Sequence, residues 1–137
     1  MAVTIDIGDA YDIHPKNKQE VGRRLALAAL ADTYKHGKYH VTHYTDMHVN
    51  GSTATVSFSQ KLKTSDRDEV KGFVVAGSNM IFHEAKAKIS GDKVIVTCKD
   101  VTTPIAVRYA WADNPQNNLQ GIDGLPVAPF RTDKFEY

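Results

Sequence analysis

Residues 6–30 read DIGDAYDIHPKNKQEVGRRLALAAL, and the fold turns on what lies on either side of this stretch. Leading into it, residues 2–7 alternate Val3, Ile5 and Ile7 with Thr4 and Asp6, which predicts a buried strand. Within it, Asn17 suits a helix N-cap, and Glu20 three residues later fits an Asn variant of the capping box. A helix is therefore predicted from residue 18 to about 35, with Gly37 as a left-handed stop. Val21, Leu25, Ala28 and Ala29 share one face, and Leu27, Leu30 and Tyr34 widen it. Such a broad apolar stripe predicts packing against a sheet, and one strand is little sheet to pack against. Between strand and helix stand Asp9, Asp12 and His14, on a loop at the carboxyl end of a strand. Open α/β folds place their chemistry there.

Beyond Gly37 the pattern changes to strands and turns. Residues 47–49 and 53–59 flank Asn50-Gly51, a strong hairpin signal, with Ala54, Val56 and Phe58 on one face. Residues 61–71 are charged and polar and read as a solvated loop. Residues 72–76 form a short buried strand. Ala85, Ala87 and Ile89 alternate with lysines, turn at Gly91-Asp92 and return through Val94, Val96 and Cys98. Pro104 breaks the run before a strand over 105–111. From residue 114 onward Gly, Pro and Asn predict an irregular tail. The fold class expected is α+β, mostly β. Residues 1–38 make the last strand, loop and helix of an α/β domain, and residues 39–137 make an antiparallel β-sandwich-like module.

Composition narrows the function classes. A chain of 137 residues can bury one real core. A formal net charge of +1 supplies no global field for nucleic acid or a membrane surface. No apolar run reaches the 18 residues of a membrane-spanning helix. Cys98 is the sole cysteine, so no disulfide forms within the chain. The N-terminus has neither the basic segment nor the apolar core of a signal peptide, and opening directly on a strand suggests a piece of something longer.

Three separated stretches carry a resemblance. VTIDIGDAYDIHPKNKQEVGRRLALAAL at residues 3–30 is similar to the catalytic-histidine region of sialate O-acetylesterases, a branch of the SGNH-hydrolase esterases. VRYAWADNP at 107–115 and GLPVAPFRTD at 124–133 resemble the C-terminal signature of the same family, in the family's order. The chain departs at Val127-Ala128, where the family pattern has a small residue followed by Ser, a position with no catalytic role. The resemblance implies hydrolysis of acetyl esters on sialic acid or related sugars. A serine attacks the acetyl carbonyl, and a histidine takes its proton and later returns it to the leaving sugar oxygen. The oxyanion is held by the serine amide, a glycine and an asparagine. His14 carries over as that histidine, whose near-neutral character suits both proton transfers. SGNH hydrolases place the orienting acid three residues before the histidine, where this chain has Tyr11. The available carboxylates are Asp12 and Asp9; Asp12 is favoured for its proximity, and a backbone carbonyl is the further alternative. No cofactor and no metal are implied. Members of the family are often secreted, periplasmic or lysosomal.

The nucleophile is not evident. GFVVAGSNM at residues 72–80 imitates the family's Gly-x-Ser-Asn-Met nucleophile motif, but its glycine adjoins Ser78 and its order relative to His14 is reversed. Gly77-Ser78-Asn79 reads as a hairpin turn. The chain is accordingly expected to be the C-terminal part of an esterase whose serine lies on preceding chain. The apolar helix face would be covered by that remainder or by self-association. The alternative is a non-catalytic β-sandwich that binds or supports glycan, which would have no reason to carry the strand-loop-helix at the front.

Other candidates have structural readings. His36, His40, His43 and His48 follow no zinc-ligand spacing. Arg108, Tyr109 and Trp111 could form a sugar platform, but strand alternation favours Tyr109 and Trp111 together in the core, or at an interface with the catalytic domain. Arg131 and Asp133 are expected to tie down the tail by ion pairing.

Overall fold

A computed structural model describes residues 1–136. Among the described residues one helix, α1 (Lys18–Asp32), precedes ten strands: β1 (Tyr44–Asn50), β2 (Thr53–Phe58), β3 (Leu62–Thr64), β4 (Phe73–Ala76), β5 (Phe82–Glu84), β6 (Lys86–Ser90), β7 (Lys93–Thr97), β8 (Ala106–Tyr109), β9 (Leu119–Gly121) and β10 (Phe130–Arg131). The fold is α+β and mostly β, as expected. Two four-stranded antiparallel sheets, ordered β1-β2-β7-β6 and β10-β8-β4-β5, are joined by the small pair β3-β9.

The core lies between the large sheets. Ala54, Val56 and Phe58 of β2 and Val94 and Val96 of β7 meet Phe73 and Val75 of β4 and Val107 and Tyr109 of β8. These are the alternate positions of each strand, so period-two patterning determines which face is buried. Burial of Tyr109 raises the pKa of its hydroxyl, whose oxygen accepts a 3.2 Å hydrogen bond from the Leu119 amide.

Five expectations need correction. The β1-β2 loop is Gly51-Ser52, because Asn50 pairs with Thr53; only Gly51 has positive φ (57°), the glycine-first hairpin turn. Leu62 is buried, and β3 pairs with β9, so residues 61–71 are not wholly a solvated loop. The tail supplies two strands, β9 and β10, each to a different sheet. These pairings are long-range, and local composition does not report them.

The fourth correction concerns residues 2–7, which are irregular and contain a turn closed by the Ile7 amide on the Thr4 carbonyl (3.2 Å). Among the described residues no neighbouring strand takes up their backbone groups, so those groups find other partners. The Val3 carbonyl accepts from Arg24 (2.8 Å), and the Ile5 carbonyl accepts from Asn117 (3.4 Å).

The fifth concerns the helix. It ends at Asp32, and Lys35, at φ 56°, turns the chain before Gly37 does. Its inward face carries Val21, Arg24, Leu27, Ala28 and Ala31, while Leu25 (57% exposed), Leu30 (45%) and Tyr34 (67%) face solvent. Ala28, Leu27 and Ala31 pack on a small cluster with Tyr39, Val41 and Leu125. The helix is rotated to bury Arg24 because its guanidinium meets two carboxylates. It makes paired bonds to Asp6 (2.6 and 2.8 Å) and one to Glu20 Oε1 (2.8 Å). Arg24 thereby ties the segment before the His14 loop to the first turn of the helix after it.

Candidate active site

Residues 7–17 form a loop with its own internal scaffolding. The Asp9 carboxylate accepts the Tyr11 amide (3.1 Å), and the Asp12 carboxylate accepts the His14 amide (2.9 Å). Both are Asx turns, in which a side chain holds the backbone two residues on. The loop ends where Asn17 caps α1 by accepting the Glu20 amide (3.1 Å), as the sequence predicts. The Glu20 carboxylate does not complete the capping box. It is drawn to Arg23 (2.7 Å) and Arg24, whose guanidinium groups lower its pKa to about 2.

The same Asp12 oxygen that holds the His14 amide lies 3.0 Å from His14 Nδ1. An ionised carboxylate only accepts, so this contact places the imidazole proton on Nδ1 and leaves the lone pair on Nε2. Nε2 has no hydrogen-bond partner among the described residues, and the side chain is largely exposed. The arrangement is that of an oriented base awaiting a proton donor. Asp9 is otherwise engaged: its second oxygen lies 2.9 Å from Lys16 Nζ, and this ammonium lowers the carboxyl pKa, with the Tyr11 amide contributing. Of the two candidate acids, Asp12 is the one in contact with the imidazole.

Ser78 sits in the β4-β5 turn, where Met80 donates its amide to the Gly77 carbonyl (3.1 Å) and Asn79 accepts from Ile81 (3.2 Å). Among the described residues no histidine hydrogen-bonds to it, and the hairpin-turn reading matches the geometry. His36, His40, His43 and His48 are exposed and do not converge; among the described residues no three His, Cys, Asp or Glu side chains lie together as a metal site.

Of the residues read by strand alternation, Trp111 is placed differently. Tyr109 is in the core, but Trp111 is half exposed. Strand β8 ends at Tyr109, and Ala110 adopts φ 48°, so the alternation does not carry through to Trp111. Arg108 makes two 2.8 Å bonds to Asp133 and lies over the Phe82 ring (3.9 Å). Asp133 is held ionised by Arg108 foremost, with its pKa lowered, and Arg131 is 3.9 Å away. The tail is tied by ion pairs as expected.

The Trp111 segment borders the His14 loop. A groove of about 660 Å³ runs between Gly8–Ala10 and Trp111–Pro115, and a smaller depression of about 310 Å³, sharing Thr4, Gly8 and Asp9, continues it to Asp12 and Ile13. Sequence reasoning missed this juxtaposition. A positive φ at an alanine carries no local signal.

Neither a protein-family model nor a curated protein matches the sequence. Among solved structures the chain is similar to the crystal structure of a novel carbohydrate acetylesterase from Xanthomonas citri, with a TM-score of 0.92 and 44% sequence identity. The match covers 98% of this chain and 32% of that one, so the chain spans about a third of the acetylesterase's length.

Proposed function

We propose that this chain is the C-terminal part of a carbohydrate O-acetylesterase of the SGNH type, contributing the histidine base and its orienting acid. The substrate class is an acetyl ester on sialic acid or a related sugar. The observation that carries the reading is the contact of Asp12 with His14 Nδ1 at 3.0 Å, with Nε2 unpartnered among the described residues. The likeness to a third of a carbohydrate acetylesterase supports it, as do the three motifs in family order. In this reading the serine and its oxyanion donors lie on polypeptide outside these residues. Nε2 takes the serine proton as the hydroxyl attacks the acetyl carbonyl. The resulting imidazolium, stabilised by Asp12, then protonates the sugar oxygen as the C–O bond breaks, leaving an acetyl-enzyme that water hydrolyses by the same relay.

The same polypeptide, or a second copy, covers the exposed side chains of Tyr11, Ile13, Leu25, Leu30 and Tyr34. Residues 1–38 then belong with the catalytic domain and residues 39–137 form its supporting β module. The deciding experiment is His14→Ala in the polypeptide that includes the serine. The expected result is a fall in kcat on the order of 10⁴ or more with substrate binding nearly intact. Retention of most of the activity would remove His14 from the mechanism.

A further inference from the structure

Resting on the esterase reading above, we propose that the groove between the His14 loop and Trp111 is the subsite for the ester-bearing sugar, with Trp111 as its stacking platform, and that it takes a neutral sugar in preference to an anionic one. Trp111 is 50% exposed on a rigid framework, next to the buried Ala110, whose amide is bonded to the Gly72 carbonyl (2.9 Å). Ala110 holds a left-handed φ of 48°, a conformation that costs a non-glycine residue energy and is retained where it aims a functional group. The consequence here is an indole turned out of the core and into the groove. Arg131 lies 5.6 Å over the ring centroid and steadies the indole. The groove's volume of about 660 Å³ lies in the range of small-molecule sites, and Asp9, Asp113 and Asn114 supply polar groups for hydroxyls beside the aromatic.

Charge decides between sugar classes. The lining contains two carboxylates, Asp9 and Asp113, and no lysine or arginine. Lys16 pairs with Asp9 from outside the lining, and Arg131 lies near Asp133. A sialic acid carboxylate in this groove would face Asp113 and Asp9, while the cations beside it, Lys16 and Arg131, already lie against Asp9 and Asp133; neutral hydroxyls would find acceptors.

Trp111 is the only tryptophan, so its emission reports the groove directly. The 137-residue chain is titrated with an acetylated cello-oligosaccharide and, separately, with O-acetylated N-acetylneuraminic acid. The expected result is a saturable emission change with the neutral probe at millimolar concentration and binding at least about tenfold weaker with the anionic one. Calorimetry on Trp111→Ala should show the neutral probe lost, and Asp113→Lys should narrow the difference between the probes. No emission change with either probe would overturn the subsite. Equal or tighter binding of the anionic probe would overturn the charge argument. Because the titration needs no turnover, it stands apart from the catalytic reading: an active His14→Ala enzyme sinks the esterase mechanism alone, and a silent Trp111 in an otherwise His14-dependent enzyme sinks the subsite alone.

Discussion

Replacing Arg24 with methionine tests the link between the helix and the loop that bears His14. The guanidinium is 4% exposed and makes four bonds, one to the Val3 carbonyl, two to Asp6 and one to Glu20. Breaking a fully buried ion pair from one side costs about 3–5 kcal/mol, because the remaining charge is left without its partner. Here the Asp6 and Glu20 side chains keep 22% and 23% of their exposure, so water recovers part of that loss. Arg24→Met should therefore destabilise the chain by about 2–3 kcal/mol. For a domain of this size that is a fall in Tm of roughly 6–15 °C. Arg24→Lys should lie between, since one ammonium cannot reproduce the paired geometry toward Asp6. The second readout is local. The His14 amide rests on Asp12, and the loop is bracketed by Asp6 and Glu20, so hydrogen exchange at His14 should accelerate in Arg24→Met by more than at the β2-β7 ladder. Denaturant melts of Arg24→Met, Asp6→Asn and the double variant complete a cycle, with a coupling of about 1 kcal/mol or more expected for groups in one network. A melting temperature within a degree of the parent's, or uniform exchange changes across the chain, would refute the idea that this cluster holds the loop.

The 137-residue chain should not hydrolyse a simple acetyl ester above background, and Ser78→Ala should change nothing; turnover abolished by Ser78→Ala would make the β4-β5 turn the nucleophile. In the polypeptide carrying the serine, steady-state kinetics should rank Asp12→Asn as more damaging than Asp9→Asn, because Asp12 touches the imidazole and Asp9 faces Lys16; the reverse order would name Asp9 as the acid. Asp133 has a lowered pKa in the folded chain, so its contribution to stability is present above the unfolded carboxylate value of about 3.9 and is lost as pH falls through its folded value. Acid melts should show Asp133→Asn less stable than the parent near neutrality, with the difference shrinking below about pH 4; a difference independent of pH would assign the loss to packing. Sedimentation should reveal self-association through the exposed helix face and loop, and a clean monomer at high concentration would count against the reading that another polypeptide covers this face.

Much of this fold was legible because its signals are local. The sandwich core follows from alternation in β2, β4, β7 and β8, where a side-chain period of two leaves one face to bury. The cap at Asn17 and the turn at Gly91-Asp92 are short-range chemistry that neighbouring residues determine. The candidate site was legible for the same reason: Asp12 lies two residues before His14, within reach of both its amide and its ring. What only the tertiary structure decided involves partners distant in sequence. A strand pattern at residues 2–7 does not make a strand unless another strand accepts its hydrogen bonds, and among the described residues none does. The helix stripe was read as apolar, but a bidentate bond between Arg24 and Asp6, 18 positions apart, settled which face turned inward. Trp111 belonged by alternation with Tyr109, yet the left-handed turn at Ala110 set it beside the His14 loop, about a hundred residues away along the chain. Periodicity assigns a side chain to a face, but only closure of the whole chain determines what stands opposite that face, because those contacts are made by packing and not by neighbours in sequence.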